Sequence, residues 1–206
     1  RVLITGGSSG LGKATAELLV ARGARVAITG RDRSKLERVA RELGAWALPY
    51  DASKEQDILA MYAAIDREWG GLDVLINNAG IGFFGPVDEV SWSDFETIFH
   101  TNVFGAALVG REAAKRMKAQ NTGNIINIAS SAGVRGFKNG TVYAASKFAV
   151  RGMTECWRDE LRPFNIRVML VNPSAVPTAF NVESREEKPL KDNMLRPEEL
   201  AHAMVS

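Results

Sequence analysis

Short apolar runs alternate with longer amphipathic segments along nearly the whole chain. The apolar runs predict strands at residues 2–5, 25–29, 45–50, 73–76, 124–128 and 166–171. The segments between them predict helices at 11–22, 33–43, 54–69, 91–120 and 143–162, and one helix or two would fit the fourth segment. Strands that alternate with helices form right-handed crossovers. We therefore expect an α/β fold, a doubly wound parallel sheet with helices on both faces.

Composition narrows the class of protein. The chain has 206 residues, of which 46% are hydrophobic and 24% charged, as in a single globular domain spanning 1–206. A net charge of +2 gives no case for a nucleic-acid or membrane partner. No apolar run is long enough for an export signal or a membrane span, and the single cysteine, Cys156, is expected to pack as a small hydrophobe. We predict a cytoplasmic protein without a metal site.

A glycine-rich turn follows the first predicted strand and leads into the first predicted helix. Glycines in such a turn let the backbone approach a pyrophosphate, while the helix N-terminus offers free N–H groups to the anion. Ligands of open α/β sheets lie at this carboxyl edge of the strands. The turn therefore predicts a dinucleotide site of the Rossmann-like type. Its candidate binding residues are Gly6, Ser8, Ser9, Gly10, Leu11 and Gly12.

The same turn also allows an alternative, the phosphate loop of an NTPase. Residues 7–13 fit the start of the pattern G-x-x-x-x-G-K. The next position should be Ser or Thr, whose hydroxyl holds magnesium, and it is Ala14. We therefore rank an NTPase below a dinucleotide-binding protein.

The end of the second predicted strand bears on the choice of dinucleotide. A basic residue there pairs with the 2′-phosphate of NADP, whereas an acidic residue binds the ribose hydroxyls of NAD. Arg31 comes first after the strand and Asp32 second, so we favour NADP(H) over NAD(H). In the alternative interpretation, Arg31 is a solvated loop residue and Asp32 caps the next helix.

Tyr143 and Lys147 are spaced to act together. Residues four apart on a helix lie on the same face, so the ammonium would stand beside the phenol. A positive charge there lowers the pKa of a tyrosine and makes it a general acid or base. The pattern is common on ordinary helices, so its meaning depends on the motifs elsewhere.

Four motifs in order resemble the short-chain dehydrogenase/reductase family. They are the turn Thr5-Gly6-x-x-x-Gly10-x-Gly12, the run Asn77-Asn78-Ala79-Gly80, Ser130, and Tyr143 with Lys147. The resemblance implies hydride transfer between a nicotinamide and a ketone or secondary alcohol. It implies that Tyr143 is the acid/base, that Lys147 lowers its pKa and holds the nicotinamide ribose, and that Ser130 binds the substrate oxygen. Asn102 would hold a water that links Lys147 to solvent.

The resemblance also implies further cofactor contacts. These are Asp51 and Ala52 at the adenine, Asn78, Ala79 and Gly80 along the adenosine, and Pro173, Val176 and Thr178 at the nicotinamide end. Ser174 replaces the family's usual glycine, so the local backbone is expected to differ. A nucleotide-sensing regulator of the same fold is the second interpretation. The retained Tyr143, Lys147, Ser130 and Asn102 favour the enzyme.

The remaining expectations concern the substrate and the assembly. A largely apolar pocket is expected from Phe83, Phe84, Val134, Phe137 and Phe180, with no charged residue obviously placed for a carboxylate or phosphate. The polar segment 182–193 is either a lid or a solvated turn. By resemblance, helices around 102–120 and 143–162 would form a homodimer or homotetramer, through positions that include Val103, Phe104, Ala107, Leu108, Phe148, Met153 and Trp157. The family's last strand would be missing from this chain.

Overall fold

A computed structural model describes residues 1–178, 180 and 194–205. Six strands form the sheet: β1 (Val2–Ile4), β2 (Val26–Gly30), β3 (Trp46–Pro49), β4 (Val74–Asn77), β5 (Gly123–Ile128) and β6 (Ile166–Val171). Seven α-helices accompany them in these residues: α1 (Gly10–Ala21), α2 (Arg33–Leu43), α3 (Glu55–Trp69), α4 (Trp92–Phe99), α5 (Ala106–Gln120), α6 (Thr141–Leu161) and α7 (Pro197–Val205). The segment 182–193, predicted to be a lid or turn, lies outside the described residues.

The sheet is entirely parallel, in the order β3-β2-β1-β4-β5-β6. The predicted doubly wound α/β fold is therefore confirmed. The strand order reverses between β1 and β4, which opens a crevice at the carboxyl ends of these two strands. The glycine-rich turn leaves β1 at this crevice, and the run that begins with Asn77 leaves β4 beside it.

The two faces of the sheet bury separate cores. Leu3, Leu75 and Ile125 pack on one face, together with residues of α3 and α5 such as Tyr62 and Met117. On the other face, alternate residues of the strands, such as Val2, Ile4 and Ile76, pack against Ala16 of α1 and Leu36 of α2. Strands buried on both sides are apolar throughout, and this explains the continuous runs in the sequence.

The predicted helical segment 91–120 forms three helical elements that follow one another without a break. A capping box of Ser91 and Asp94 starts α4. A π-helical stretch, His100–Gly105, follows, and α5 begins directly after it at Ala106. The sequence left one helix or two open but did not predict the π-helix. Such widened turns are frequent at functional sites, and this one contains Asn102.

The single cysteine lies where the sequence did not predict it. Cys156 is exposed on α6 and does not pack in the core. No helix among the described residues has the length and apolar character needed to cross a bilayer. Over the same residues, no group of three His, Cys, Asp or Glu side chains is arranged to hold a metal ion.

Candidate active site

The glycine-rich turn is fixed to the neighbouring strand by Thr5 and Asn78. The Thr5 hydroxyl accepts hydrogen bonds from the backbone N–H groups of Asn78 and Ala79, both at 2.9 Å. The Asn78 side-chain amide donates to the carbonyl oxygens of Thr5 at 2.9 Å and Gly6 at 3.2 Å. Asn78, which was predicted to line the adenosine, therefore also uses its side-chain amide to hold the turn.

Two glycines of the turn have steric reasons to be glycine. Gly10 has φ +52°, and a Cβ there would stand 3.1 Å from the Thr178 methyl group. A Cβ on Gly12 would stand 2.7 Å from Nδ2 of Asn78 and would also collide with the Gly6 carbonyl.

Ser9 is the N-cap of α1, and its side chain makes no capping hydrogen bond. Its hydroxyl and the first N–H groups of α1 can therefore bind a pyrophosphate, so these residues fit a dinucleotide.

The tip of β2 separates the roles of its two charged residues. Asp32 is the N-cap of α2 and accepts a hydrogen bond from the Lys35 N–H at 3.0 Å. Arg31 is exposed and forms no ion pair with any residue that the structure describes. Its charge acts on Asp51, whose pKa is lowered by hydrogen bonds from Ser53 and by nearby cations against the opposing effect of burial. The cap interpretation of Asp32 is confirmed, and the guanidinium remains available for an anion.

Asp51 and Ala52 lie at the end of β3, beside the π-helix. The Asp51 carboxylate accepts hydrogen bonds from the N–H and the hydroxyl of Ser53, at 3.0 and 2.8 Å. The carbonyl of Ala52 packs directly against Gly105, where a Cβ would collide with it. The two residues therefore connect the β3 end of the crevice to the segment that holds Asn102.

Lys147 is buried at the base of the site. Its side chain is 4% exposed, and Nζ donates to the carbonyl oxygen of Ile128 at 3.1 Å. A Cβ on Gly80 would stand 3.4 Å from Nζ and equally far from Oδ1 of Asn102. Burial lowers the pKa of Lys147 from 10.5 to about 8. The amine thus lies directly beneath the chain that leaves β4 at the crevice.

Tyr143 lies one turn before Lys147 on α6, with Ser130 beside its hydroxyl. Burial raises the pKa of Tyr143, and the Ser130 hydroxyl opposes that rise. The sequence predicted a pKa lowered by Lys147, so the direction found is the opposite. The reason is burial, which disfavours the phenolate more than the hydrogen bond from Ser130 favours it. Nζ of Lys147 lies 5.7 Å from the centroid of the phenol ring and bonds to the Ile128 carbonyl.

The π-helix brings Asn102 to the same place. Its Oδ1 accepts the Ile81 N–H at 2.8 Å, and its Nδ2 donates to the Ile81 carbonyl at 2.8 Å and to the Ser146 hydroxyl at 3.1 Å. Ser146 in turn donates to the carbonyl of Tyr143 at 2.7 Å. Ser146 was missed from the sequence, although its place directly before Lys147 was the available signal.

The described part of the substrate side is aromatic close to Tyr143. Phe84 and Phe180 stand 5.4 and 5.8 Å from the Tyr143 ring, centroid to centroid. Phe137 continues the path at 5.8 Å from Phe84. The expected apolar wall is therefore present for these residues. Arg135 and Lys138, which were not predicted as site residues, line a cavity together with Phe137.

The segment after β6 closes the nicotinamide end of the predicted site. The Pro173 carbonyl accepts the Ser131 N–H at 2.9 Å, and the Val176 carbonyl accepts the Thr178 N–H at 2.8 Å. Thr178 contacts the glycine turn at Gly10. Among the described non-glycine residues, positive φ occurs at Asn121, Asn139 and Asn165 and not at Ser174. The serine therefore fits its backbone without strain.

Comparison with known proteins gives the family. Residues 1–189 match the short chain dehydrogenase family. The human dehydrogenase/reductase SDR family member 11 is 34% identical over an alignment of 223 residues, which covers 98% of this chain and 86% of the relative.

Two solved structures share the fold over nearly the whole chain. A 3-ketoacyl-(acyl-carrier-protein) reductase from Brucella melitensis, complexed with NADH, has a TM-score of 0.90 and 33% identity, covering 99% of this chain and 88% of that one. An alcohol dehydrogenase from the archaeon Thermococcus sibiricus, complexed with 5-hydroxy-NADP, has a TM-score of 0.89 and 28% identity, with coverages of 99% and 88%. These similarities do not support the phosphate-loop alternative. The chain belongs to the short-chain dehydrogenase/reductase family and is an oxidoreductase.

Proposed function

We propose that the protein is an NADP(H)-dependent oxidoreductase that transfers hydride between the nicotinamide and a ketone or secondary alcohol, with Tyr143 as the acid/base. The observation that carries this proposal is that Tyr143 and Lys147 lie one turn apart on α6, with Nζ 5.7 Å from the centroid of the phenol ring. Ser130 lies at the phenol, and the chain after β4 passes over the amine. One group that moves a proton, one hydroxyl donor and one cation thus meet at the edge of the nucleotide crevice.

The cofactor's residues follow from the same crevice. Ser8, Ser9 and the first turn of α1 would bind the pyrophosphate, and Arg31 the 2′-phosphate. The two similar solved structures are complexes with NADH and with an NADP derivative, which supports a nicotinamide cofactor here. When bound, the nicotinamide supplies or accepts the hydride. The remaining proposed contacts are those of Asp51, Ala52, Asn78, Ala79, Gly80, Pro173, Val176 and Thr178.

The chain's own residues manage the charge on the substrate oxygen. In reduction, negative charge develops on that oxygen; Tyr143 donates its hydroxyl proton there, and Ser130 donates a hydrogen bond. The positive charge of Lys147 then stabilises the phenolate that remains. Its buried position strengthens this effect, because charges interact more strongly away from water.

Asn102 acts mainly by positioning in this proposal. Both hydrogens of its amide are used, by the Ile81 carbonyl and the Ser146 hydroxyl. One lone pair of Oδ1 accepts the Ile81 N–H, which leaves the other for a water. The water link predicted for Asn102 therefore depends on a single acceptor site.

The decisive experiment compares the wild type with Tyr143→Phe on a panel of ketones and secondary alcohols. We expect kcat to fall by about 10²–10⁴-fold, the usual contribution of a general acid or base. NADPH binding, followed by fluorescence, should stay within about twofold, because the phenol oxygen is not needed to hold the pyrophosphate. Turnover by Tyr143→Phe close to that of the wild type would refute the role of Tyr143.

The preference for NADP(H) has its own test in Arg31→Ala. Loss of a charge-assisted bond to the 2′-phosphate should raise the dissociation constant for NADPH about tenfold or more. The constant for NADH should change little. Arg33→Ala is the matched control, because Arg33 is exposed nearby but already pairs with Glu37 at 2.8 Å. Equal effects of Arg31→Ala on both dinucleotides would contradict the preference.

A further inference from the structure

The loop that follows Ser130 lines a cavity with a mixed surface. The cavity measures about 470 Å³ and is lined by Ser131, Ala132, Arg135, Gly136, Phe137 and Lys138. This volume lies within the usual range for small-molecule sites, roughly 300–1,000 Å³. Ala132, which lines the cavity, packs in one cluster with Tyr143, so the cavity adjoins the proposed reaction centre.

The loop is held in place by bonds at both ends. At its start, the Ser130 hydroxyl accepts the Ala132 N–H at 3.1 Å, and the Pro173 carbonyl accepts the Ser131 N–H at 2.9 Å. At its end, the Asn139 carbonyl accepts the Gly85 N–H at 3.0 Å. Arg135 and Lys138 are therefore carried on a segment anchored to the site.

An apolar path connects these cations to Tyr143. Phe137 lines the cavity and stands 5.8 Å from Phe84, which stands 5.4 Å from Tyr143. A ligand whose carbonyl meets the phenol would therefore cross aromatic surface before it reaches Arg135 or Lys138. The expectation of a pocket without a suitable charge does not hold for this side.

Neither cation is neutralised within the part of the chain that the structure describes. No carboxylate there pairs with Arg135 or Lys138, whereas Lys115 and Arg116 share the buried Glu112. Arginine binds carboxylate or phosphate through two parallel N–H bonds, and lysine adds a point charge. Two such cations around one cavity suit an anionic group.

We infer that the substrate of this enzyme is a carbonyl or alcohol compound with an anionic group, carboxylate or phosphate, which Arg135 and Lys138 bind across an apolar spacer. The inference rests on the proposed function, because it takes the reacting carbon to lie at Tyr143. It narrows the substrate class from any ketone or secondary alcohol to anionic ones.

The test uses the full chain with NADPH and a series of methyl ketones of increasing length. Each length is supplied as a carboxylate, as its neutral methyl ester and as the matching oxoalkyl phosphate. We expect at least one length at which kcat/KM for an anionic form exceeds that for the ester by about tenfold or more, as charged hydrogen bonds allow. The preference should shrink as salt is added. The more strongly preferred anion distinguishes carboxylate from phosphate substrates.

The variants tie the preference to the two cations. In Arg135→Gln/Lys138→Gln the anion-to-ester ratio should fall to about one, the value for a site that does not sense charge. Arg41→Gln is the control, because Arg41 is exposed in the last turn of α2, away from the carboxyl edge. It removes a positive charge as well and should keep the ratio.

The outcomes separate this inference from the proposed function. If the wild type reduces esters and anions equally well, the anion site is refuted and the oxidoreductase proposal stands. If Tyr143→Phe turns over the series like the wild type, the proposed function fails. The site itself is then judged by calorimetry with octanoate against octanamide, which cannot be reduced at a ketone. Equal binding of these two by the wild type, or an unchanged difference in the double variant, overturns the inference.

Discussion

The Lys147 ammonium occupies an unfavourable place for a charge. Its side chain is buried, and the hydrogen bond to the Ile128 carbonyl replaces only part of the water that it loses. The pKa of Lys147 is lowered to about 8 for this reason. A lysine at this position therefore costs the fold stability, and its proposed role in the site accounts for its presence.

This cost predicts a pH dependence of stability. The pKa of Lys147 is about 8 in the folded chain and 10.5 as its ordinary value, so between these values the unfolded chain binds more protons. The free energy of unfolding should therefore rise as pH increases from 8 to 10.5. Lys147→Met should remove this rise, as measured by urea unfolding across the range. Lys118→Met, at an exposed position, should keep it; equal slopes in Lys147→Met and the wild type would contradict the assignment.

Ser146 supplies a second prediction about a single residue. Its fully buried hydroxyl joins Asn102 to the Tyr143 carbonyl. Ser146→Ala leaves a buried amide hydrogen of Asn102 without its partner, so the free energy of unfolding should fall by about 1–3 kcal/mol. Chemical denaturation measures this loss. Ser34→Ala, on the exposed surface of α2, should change stability by less than about 0.5 kcal/mol. A similar effect of both variants would count against the bridge.

At the scale of elements, the π-helix packs closely on the chain just after β3 because Gly105 has no side chain. Gly105 packs on the Ala52 carbonyl with no room for a Cβ. The contact keeps the widened turn in its place, and that turn carries Asn102 toward Lys147. The geometry of the site thus depends on a residue with no functional group.

Two glycine substitutions should therefore have opposite effects. Gly105→Ala forces the π-helix away from the Ala52 carbonyl and should destabilise the fold by about 1–3 kcal/mol, with loss of turnover. Gly152→Ala lies within α6, where a Cβ meets nothing within 4 Å, and should stabilise by about 0.5–1 kcal/mol. Thermal unfolding measures both. Equal stability of Gly105→Ala and the wild type would show that the close contact is unimportant.

At the scale of the whole molecule, α5 and its π-helical start carry apolar surface beside α6. Phe104 is 51% exposed and Phe148 is 44% exposed. Two other positions proposed for an interface contact the interior of the subunit. Val103 is buried, and Trp157 packs against the core and Gly110. The exposed phenylalanines therefore carry the expectation of a dimer.

That expectation gives a prediction about assembly. Phe104→Lys/Phe148→Lys places charges at the proposed contact and should shift the protein from dimer to monomer in sedimentation velocity. Val87→Lys, at an exposed position before α4, is the control and should leave the dimer intact. A wild type that sediments as a monomer would refute the interface.

Sequence patterns predicted the sheet well and the local contacts poorly. Apolar runs such as Val2–Ile4 fix strands because parallel strands are buried on both faces. The positions of Tyr143 and Lys147 on one helix followed from spacing alone. The π-helix at His100–Gly105, the bonds of Asn78 and the raised pKa of Tyr143 did not, because each depends on atoms from distant segments. Exposure of Cys156 likewise depends on which face of α6 the sheet covers.

The ties between Asn78, Thr5 and the glycine turn bear on how fast a dinucleotide can enter. Because Asn78, directly after β4, already holds the turn in one conformation, no slow loop rearrangement needs to precede dinucleotide binding. Stopped-flow mixing should accordingly give an observed rate that climbs linearly with ligand concentration and shows no plateau. Asn78→Ala would free the turn and introduce such a plateau. The Asn78 amide would then increase the rate of dinucleotide binding as well as the affinity.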